Sequence, residues 1–529
     1  MIKKNLYKWH RFISISIAIP VVLWAASGFM HPIMSSFRPQ VATQFLNTKP
    51  IDSGSVKISL ENALSINHID SLKNVRLIHI DTNWFYQIQP IGKDELIYLS
   101  VKNGKLLKKG DWIYAQYLAR YFLEGELKAD TSKLVNEAKS IIPNNSTISD
   151  CCDAATACVL KPIKGTKIDN VHFIRSFDDE YKNINRVLPV YKVQFERKDG
   201  IRIYVETSQD RFAFAVDDKR ALFTTIFSLI HTWEWLSFLG ICRIYIELLF
   251  AGLAFLTSLM GIYIFFTTKT KKVKGNELIA ARRNHRFTSV IISLFTLMFS
   301  FSGFYHALSK FKIDTRDNYF DKTTYQSKNI HLNIDSVRLI VKKPITNISL
   351  VTLDSSLYYQ VTIKKDKQIK AGEKIPKDLM KEMKTPKPQL LYVNVDEGTI
   401  LKDGDKKYAH NLANSFGLNS DSEIISDSLI TKFEGEYGFV NKRLPIWKIQ
   451  YAKNNNERFY VETTSGKLSV RIDDKELMEA NIFNFLHKHH FMDFAGKEWR
   501  DFSTMFWAMA QIVVVVFGFT LYFKSRKRK

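Results

Sequence analysis

Six of the thirteen histidines in this chain stand where their spacing could do chemistry. His10 and His31 are 21 residues apart, and so are His285 and His306. A helix rises about 1.5 Å and turns about 100° per residue, so each pair would cover roughly 31 Å and point within roughly 60° of one direction. That is the thickness of the hydrocarbon layer of a bilayer, about 30 Å. His231 and His487 add an imidazole each beside further apolar segments, and His489 and His490 crowd the latter. Paired imidazoles on different helices suit bis-imidazole ligation of haem, because one iron takes two axial ligands on opposite faces of the macrocycle. Zinc prefers three or four ligands, often with Cys or carboxylate, and no HExxH or CxxC lies near these residues. A proton relay would use Asp or Glu chains, yet the spans offer only Glu247, close to an end. The competing reading is a set of interfacial histidines that snorkel or bond to a neighbouring carbonyl.

The elements that would carry these rings are legible as four runs without Asp, Glu, Lys or Arg: Phe12–Phe37, Leu248–Thr268, Phe287–Ser309 and Phe502–Phe523. Each is long enough for a helix to cross the hydrocarbon, which takes roughly 20 residues. The first is too long for the apolar stretch of a signal peptide, usually about 7–15 residues, and is expected to be a retained anchor. The net charge of +23 is concentrated beside these runs. Residues 1–11 hold Lys3, Lys4, Lys8 and Arg11; residues 269–286 hold four Lys and three Arg against Glu277; and Lys524, Arg526, Lys527, Arg528 and Lys529 end the chain. Short Lys/Arg-rich flanks mark the cytoplasmic side. The charge is therefore a topology signal, and no nucleic-acid partner is expected.

The expected fold class is an integral membrane α-helical protein with four spans plus α+β external domains. Residues 1–11 form the cytoplasmic N-terminus, 12–34 span 1, 35–220 the first external region and 221–240 an interfacial helix. Span 2 covers 241–268, a cytoplasmic loop 269–286 and span 3 287–309. The second external region is 310–476, with an interfacial helix at 477–500, span 4 at 501–523 and a cytoplasmic tail at 524–529. Trp233 and Trp235 suit the aromatic belt of the outer interface.

The two halves repeat one another. Trp9-His10-Arg11-Phe12 matches Asn284-His285-Arg286-Phe287, and Ser27-Gly28-Phe29-Met30-His31 matches Ser302-Gly303-Phe304-Tyr305-His306. Leu188-Pro189-Val190-Tyr191-Lys192 matches Leu444-Pro445-Ile446-Trp447-Lys448, and Tyr204-Val205-Glu206-Thr207 matches Tyr460-Val461-Glu462-Thr463. Between them lie alternating runs with strand character, among them Val75–Ile80, Trp84–Gln89, Tyr358–Ile363 and Leu390–Val395, after a helix opened by Ser59. Gly28, Gly303, Ala25 and Ala26 would let a flat ring approach the backbone, or serve helix packing. Cys151, Cys152 and Cys158 suggest a loop clip in an oxidising compartment, with a redox or metal role as the rival. Cys242 is expected to be a small apolar filler. Trp112, Tyr114, Tyr117, Trp233 and Trp235 are candidates for ligand contact or for packing.

In order and duplication, the W/N-H-R-F start, the S-G-F-x-H end, the L-P-x-Y/W-K and Y-V-E-T strands and the F-x-L/F-I/L-H helix resemble the PepSY-associated transmembrane protein family, whose members include inner-membrane reductases for ferric siderophores. The resemblance covers most of the chain. It implies PepSY-type periplasmic domains, four spans, two haem b groups and electron delivery to a periplasmic iron complex. The inner haem would lie between His10 and His285, and the outer one would take two of His31, His306, His231 and His487. Electrons would come from a quinol or a cytoplasmic reductase, and no side chain would act as acid or nucleophile. Two other expectations are a PepSY module, anchored by the spans, that binds peptides or regulates a peptidase, and a permease for the iron complex itself.

Overall fold

The computed structural model describes residues 2–34, 37–125, 167–269, 273, 276–311, 320–331, 333–363, 389–417, 423–433, 435–452 and 455–526. Cys151, Cys152 and Cys158 lie outside the described residues. In chain order the helices are α1 (Ile2–Ser16), α2 (Ala18–Met34), α3 (Leu60–Ile66), α4 (Gly110–Glu124), α5 (Asp218–His231), α6 (Cys242–Thr267), α7 (Glu277–Ser309), α8 (Ile334–Val341), α9 (Gly404–Gly417), α10 (Asp474–Ile482) and α11 (Lys497–Arg526). The strands are β1 (Ser71–Leu72), β2 (Asn74–Ile80), β3 (Asn83–Gln89), β4 (Ile97–Ser100), β5 (Ile168–Ile174), β6 (Val190–Phe195), β7 (Arg202–Glu206), β8 (Arg211–Val216), β9 (Tyr325–Gln326), β10 (Ile345–Leu353), β11 (Ser356–Ile363), β12 (Gln389–Asn394), β13 (Ile424–Ile430), β14 (Ile446–Tyr451), β15 (Arg458–Glu462) and β16 (Lys467–Ile472).

The chain divides into two units, one of Met1–Arg38, Lys219–Asp314 and Asp474–Lys529, the other of Pro39–Asp218 and Thr315–Asp473. The first unit is helical. Among the described residues, α6, α7 and α11 are each long and apolar enough to cross a membrane. The first apolar run is different. Its two helices pass the same test only as a pair, bent by 56°. The straight first span expected from the spacing of His10 and His31 is thus corrected. Pro20 supplies the reason: it has no N–H for the Ser16 carbonyl, and its ring crowds that turn. His285 and His306, by contrast, share the unbroken α7, whose start Asn276 caps by accepting the Leu278 and Ile279 amides. In this unit α11 packs on α2 and α7, while α6 packs on α7 and α1.

The interfacial segments are also less regular than expected. After α5, Trp233 takes a left-handed conformation and a tight helical turn covers Glu234–Leu239. After α10, the chain makes a π-helical turn at Phe483–His487, a left-handed step at His489 and a second tight turn at His490–Ala495. Cys242, expected as a small apolar filler beside the second span, begins α6 and is exposed. Glu247 is buried and accounted for, paired with Arg243 at 3.7 Å and Lys310 at 3.4 Å.

The second unit runs twice through one succession: short helix, three antiparallel strands, longer helix, four antiparallel strands. The sheets are β2-β3-β4 and β5-β6-β7-β8, then β10-β11-β12 and β13-β14-β15-β16. Successive side chains of Val75–Ile80 and Trp84–Gln89 point to opposite faces, and both faces are covered: Leu77, Tyr86 and Ile88 enter one core, Ile78, Ile80 and Phe85 another. Leu60, Ala63, Leu64, Leu77, Tyr86, Val337, Ile348 and Val361 share one core, contributed by both successions. There β2 and β10 lie side by side without a ladder. Asparagine side chains meet buried backbone amides there: Asn347 accepts the Leu77 amide at 3.1 Å, and Asn74 accepts the Leu350 amide at 3.0 Å. Tyr114 and Tyr117, candidates for ligand contact, are core residues of α4.

The Y-V-E-T glutamates are buried at the end of β7 and β15. Arg211 bridges them, reaching Glu206 at 2.6 Å and also bonding Glu462. Arg443 meets Glu462 at 2.6 Å, and Lys467 meets Glu206 at 3.6 Å. These cations hold the Glu206 carboxyl below its usual range and bring Glu462 down to about 2. Lys442 sits nearby without a carboxylate, donating to Asn185 Oδ1 at 2.8 Å and to the Ala213 carbonyl. Burial, aided by the charge of Arg211, lowers its ammonium to about 7. The folded state therefore binds fewer protons than the unfolded chain between pH 7 and the ordinary lysine range, so this residue makes stability rise with pH there. Lys442→Met is expected to flatten the increase in thermal midpoint between pH 7 and 10; an unchanged slope would contradict the assignment.

Candidate functional site

The helical unit brings the outer histidines together in two matching stacks. On one side His31, Phe227 and His231 follow each other, with ring centres 5.5 and 4.6 Å apart. On the other side His306, Phe483 and His487 do the same at 4.3 and 4.6 Å. Phe227 and Phe483 each precede their histidine by four residues, one helical turn, so α5 and the π-helical turn stack both on one face. The two stacks meet through His231 and His487, whose ring centres are 6.3 Å apart with planes at 79°.

The chemistry of this pair follows from two serines. Ser27 on α2 and Ser302 on α7 are fully buried. Each hydroxyl approaches backbone carbonyls one turn back, Leu23 and Trp24 for Ser27 at 2.9 and 2.8 Å, Met298 and Phe299 for Ser302 at 2.6 and 3.2 Å. A hydroxyl has one proton to donate. With that proton on a carbonyl, the oxygen accepts from Nδ1 of His231 at 2.8 Å, and from Nδ1 of His487 at 3.1 Å. This assigns the Nδ1–H tautomer to both rings and leaves the Nε2 lone pair of each available. Burial pushes both imidazoles well below the ordinary histidine range, His231 to about 3, so both are neutral. Two neutral imidazoles with oriented second nitrogens are competent metal ligands. A single metal atom between two such rings would need about 2.0–2.1 Å to each nitrogen, which with roughly 1.1 Å from nitrogen to ring centre gives about 6.3 Å when both Nε2 atoms point at it.

The small residues flagged beside these histidines divide by role. Gly303 faces the His487 ring, and a Cβ there would lie 3.8 Å from its Cε1. Gly28 faces Ala508 of α11 at 3.7 Å and serves helix packing. His31 and His306 stand one phenylalanine further out, and His306 is tied to Glu479 at 2.7 Å through Nδ1. Of the four outer candidates, then, the structure sets the His231 and His487 rings edge to face, 6.3 Å apart, and keeps His31 and His306 apart from that contact.

At the other end of the helices, His10 and His285 present a different arrangement. The Nδ1 atom of each is buried and makes no hydrogen bond. His10 lies over Gly261 of α6, where a Cβ would come to 3.4 Å from its Cε1, and His285 lies over Gly518 of α11 at 3.7 Å. Glycine at these places gives each imidazole access to a helix backbone that any larger residue would obstruct. These glycines carried no motif signal in the sequence.

Further residues surround the outer pair, and of these Trp24 was not singled out in the sequence. His489 is fully buried, bonds Ser503 Oγ through Nδ1 at 3.0 Å, and lies among Phe295, Phe299 and Phe491. Trp233 stacks on Trp24 at 5.0 Å with planes 2° apart, and the Trp24 indole donates to the His231 carbonyl at 2.9 Å. That bond fixes the end of α5 from which His231 projects. Trp235 is exposed, as an aromatic-belt residue would be. No protein-family model matches the chain, and no curated protein matches it.

Proposed function

We propose that the chain is an internally duplicated, four-span haem protein of the inner membrane that passes electrons to a ferric siderophore in the periplasm. In this reading the bent α1–α2 pair is the fourth span, both termini are cytoplasmic and the β-rich unit comprises PepSY-like periplasmic regions. The observation that carries it is the His231–His487 pair, 6.3 Å between ring centres with each Nδ1 engaged by a buried serine.

His231 and His487 would hold the outer haem b, and His10 and His285 the inner one. Haem supplies a one-electron carrier near each membrane face, which side chains alone do not. The chain's part is positional. Ser27 and Ser302 fix the tautomer and ring orientation of the outer pair, and Phe227 and Phe483 hold those rings by stacking. Gly261, Gly518 and Gly303 keep the space beside three of the four imidazoles clear. The apolar helices exclude water and so protect the reduced state from side reactions. At the outer face, reduction of Fe(III) to Fe(II) in a hard, oxygen-rich chelate removes most of the chelator's preference and favours release of the metal.

Proteoliposomes with an enclosed reductant and an external ferric hydroxamate test this reading. External Fe(II), trapped by a ferrous-specific dye, should appear with the wild-type protein and fall to the empty-liposome rate in His10→Ala. Equal rates with and without protein would refute it.

A further inference from the structure

Two polar clusters of the β-rich unit occupy corresponding places, and among the described residues one of them lacks the arginine of the other. In the first succession Arg76 on β2 stands opposite Gln87 on β3. Its guanidinium reaches Asp210 at 2.5 and 3.2 Å, the Ser208 carbonyl at 2.5 Å and Gln87 Oε1 at 3.2 Å. The same carboxylate accepts the Tyr114 hydroxyl at 2.6 Å. In the second succession the register sets Ser349 opposite Gln360, so a serine stands where the arginine would be.

The acceptors remain although the arginine is gone, the Thr464 carbonyl taking the Gln209 side-chain amide at 3.4 Å. Gln360 Oε1 accepts the Ser349 hydroxyl at 3.0 Å, and Thr464 follows Glu462 by two residues as Ser208 follows Glu206. Tyr408 donates to a carboxylate at 2.8 Å, as Tyr114 does, but this carboxylate belongs to Asp321. It has changed segment. Gly466 begins the β15–β16 link's return where Asp210 stands before β8, and at φ +62 its added Cβ would lie 3.0 Å from Asp321 Cβ. Asp321 follows Phe320, which bridges Lys467, while Leu46 follows Phe45, which bridges Arg211 in the same way. The carboxylate has moved from one side of the cluster to the other, and among the described residues no arginine lines the cleft beside it.

A cleft lies at this place, with about 490 Å³ of empty space including its mouth, and Asp321, Gln360, Tyr408, Thr464 and Gly466 line it. Among the described residues, the charged side chains facing it are Asp321, Lys73 and Lys467. Lys467 is paired with Glu206. The Lys73 ammonium lies over the Phe320 ring, 5.4 Å from its centre. Asp321 takes its bonds from neutral donors, the Tyr408 hydroxyl and the amide and hydroxyl of Thr323 at 2.9 and 2.6 Å.

We propose that this cleft binds the guanidinium group of a small solute, in the place that Arg76 fills in the first succession. A guanidinium offers five donors in a planar fork, which suits a carboxylate, an amide oxygen and a carbonyl at once, whereas an ammonium offers three donors from one point. Calorimetric titration of the full-length protein in detergent with methylguanidinium, and separately with methylammonium, tests it. Saturable methylguanidinium binding is expected, at least tenfold tighter than methylammonium. Both Asp321→Asn and Ser349→Arg should weaken it at least tenfold, the second by carrying its own guanidinium into the cleft. Circular dichroism melts of the two variants verify folding. Lys73→Met should bind as well as wild type or better. No saturable binding to wild type, binding that appears only in Lys73→Met, or full binding by a folded Ser349→Arg would overturn the proposal.

Discussion

His487→Ala should remove one of the two proposed haems from the purified protein and leave the other. The imidazole it deletes is the partner of His231, and a single remaining axial nitrogen would hold the group far less tightly. Ser302→Ala leaves the ring in place but removes the hydroxyl that fixes its Nδ1 at 3.1 Å. Partners of that kind are worth about 10–100-fold in metal affinity, so this variant should keep a weakened, spectrally shifted group. His306→Ala should retain both, because Phe483 stands between His306 and His487. Haem content per chain, measured as the pyridine haemochrome, distinguishes the three variants. Equal loss in His306→Ala and His487→Ala would show that the outer pair has been assigned to the wrong rings.

The second large effect concerns stability. Glu462→Ala removes the carboxylate that Arg443 meets in a buried site and leaves Arg211 with Glu206 alone, and breaking a buried ion pair on one side typically costs about 3–5 kcal/mol. A sharp fall in the thermal midpoint of the full chain is expected at neutral pH, with purified yield reduced accordingly. The pH dependence has a defined sign. The folded Glu462 carboxyl is lowered to about 2, below its unfolded value, so its stabilisation is complete above about pH 4.5 and is lost as pH falls toward 2. The wild type should lose stability through that window, and Glu462→Gln should lose less. A Glu462→Ala protein with an unaltered midpoint would mean that the cluster contributes nothing.

How much of this was readable beforehand depended on the range of the forces involved. The charge-free runs gave the apolar helices, since desolvating a charge in hydrocarbon is costly wherever the helix sits. Strands such as Val75–Ile80 and Tyr358–Ile363 were legible because side chains alternate between the two faces with a period of two. The bend between α1 and α2 rests on one proline, and spacing arguments that assume a straight helix pass over it. Which outer histidines meet was not legible either, for His231 and His487 lie on different elements and only the intervening Phe227 and Phe483 decide the pairing. That signal was present, since the F-x-L/F-I/L-H motif contains those phenylalanines, but it served to align the halves. The Y-V-E-T glutamates looked like ordinary strand residues. Their burial becomes intelligible only when Arg211 from one half is seen to reach Glu462 in the other.

The most direct measurement is the visible spectrum of the full-length protein, purified from cells supplied with a haem precursor, before and after dithionite. A Soret band that shifts on reduction, with a sharp α-band and close to two haems per chain, is the expected result. A colourless protein, or a spectrum unmoved in the double variant His231→Ala/His487→Ala, would contradict electron transfer through paired imidazoles and leave the helices as anchors for the β-rich unit.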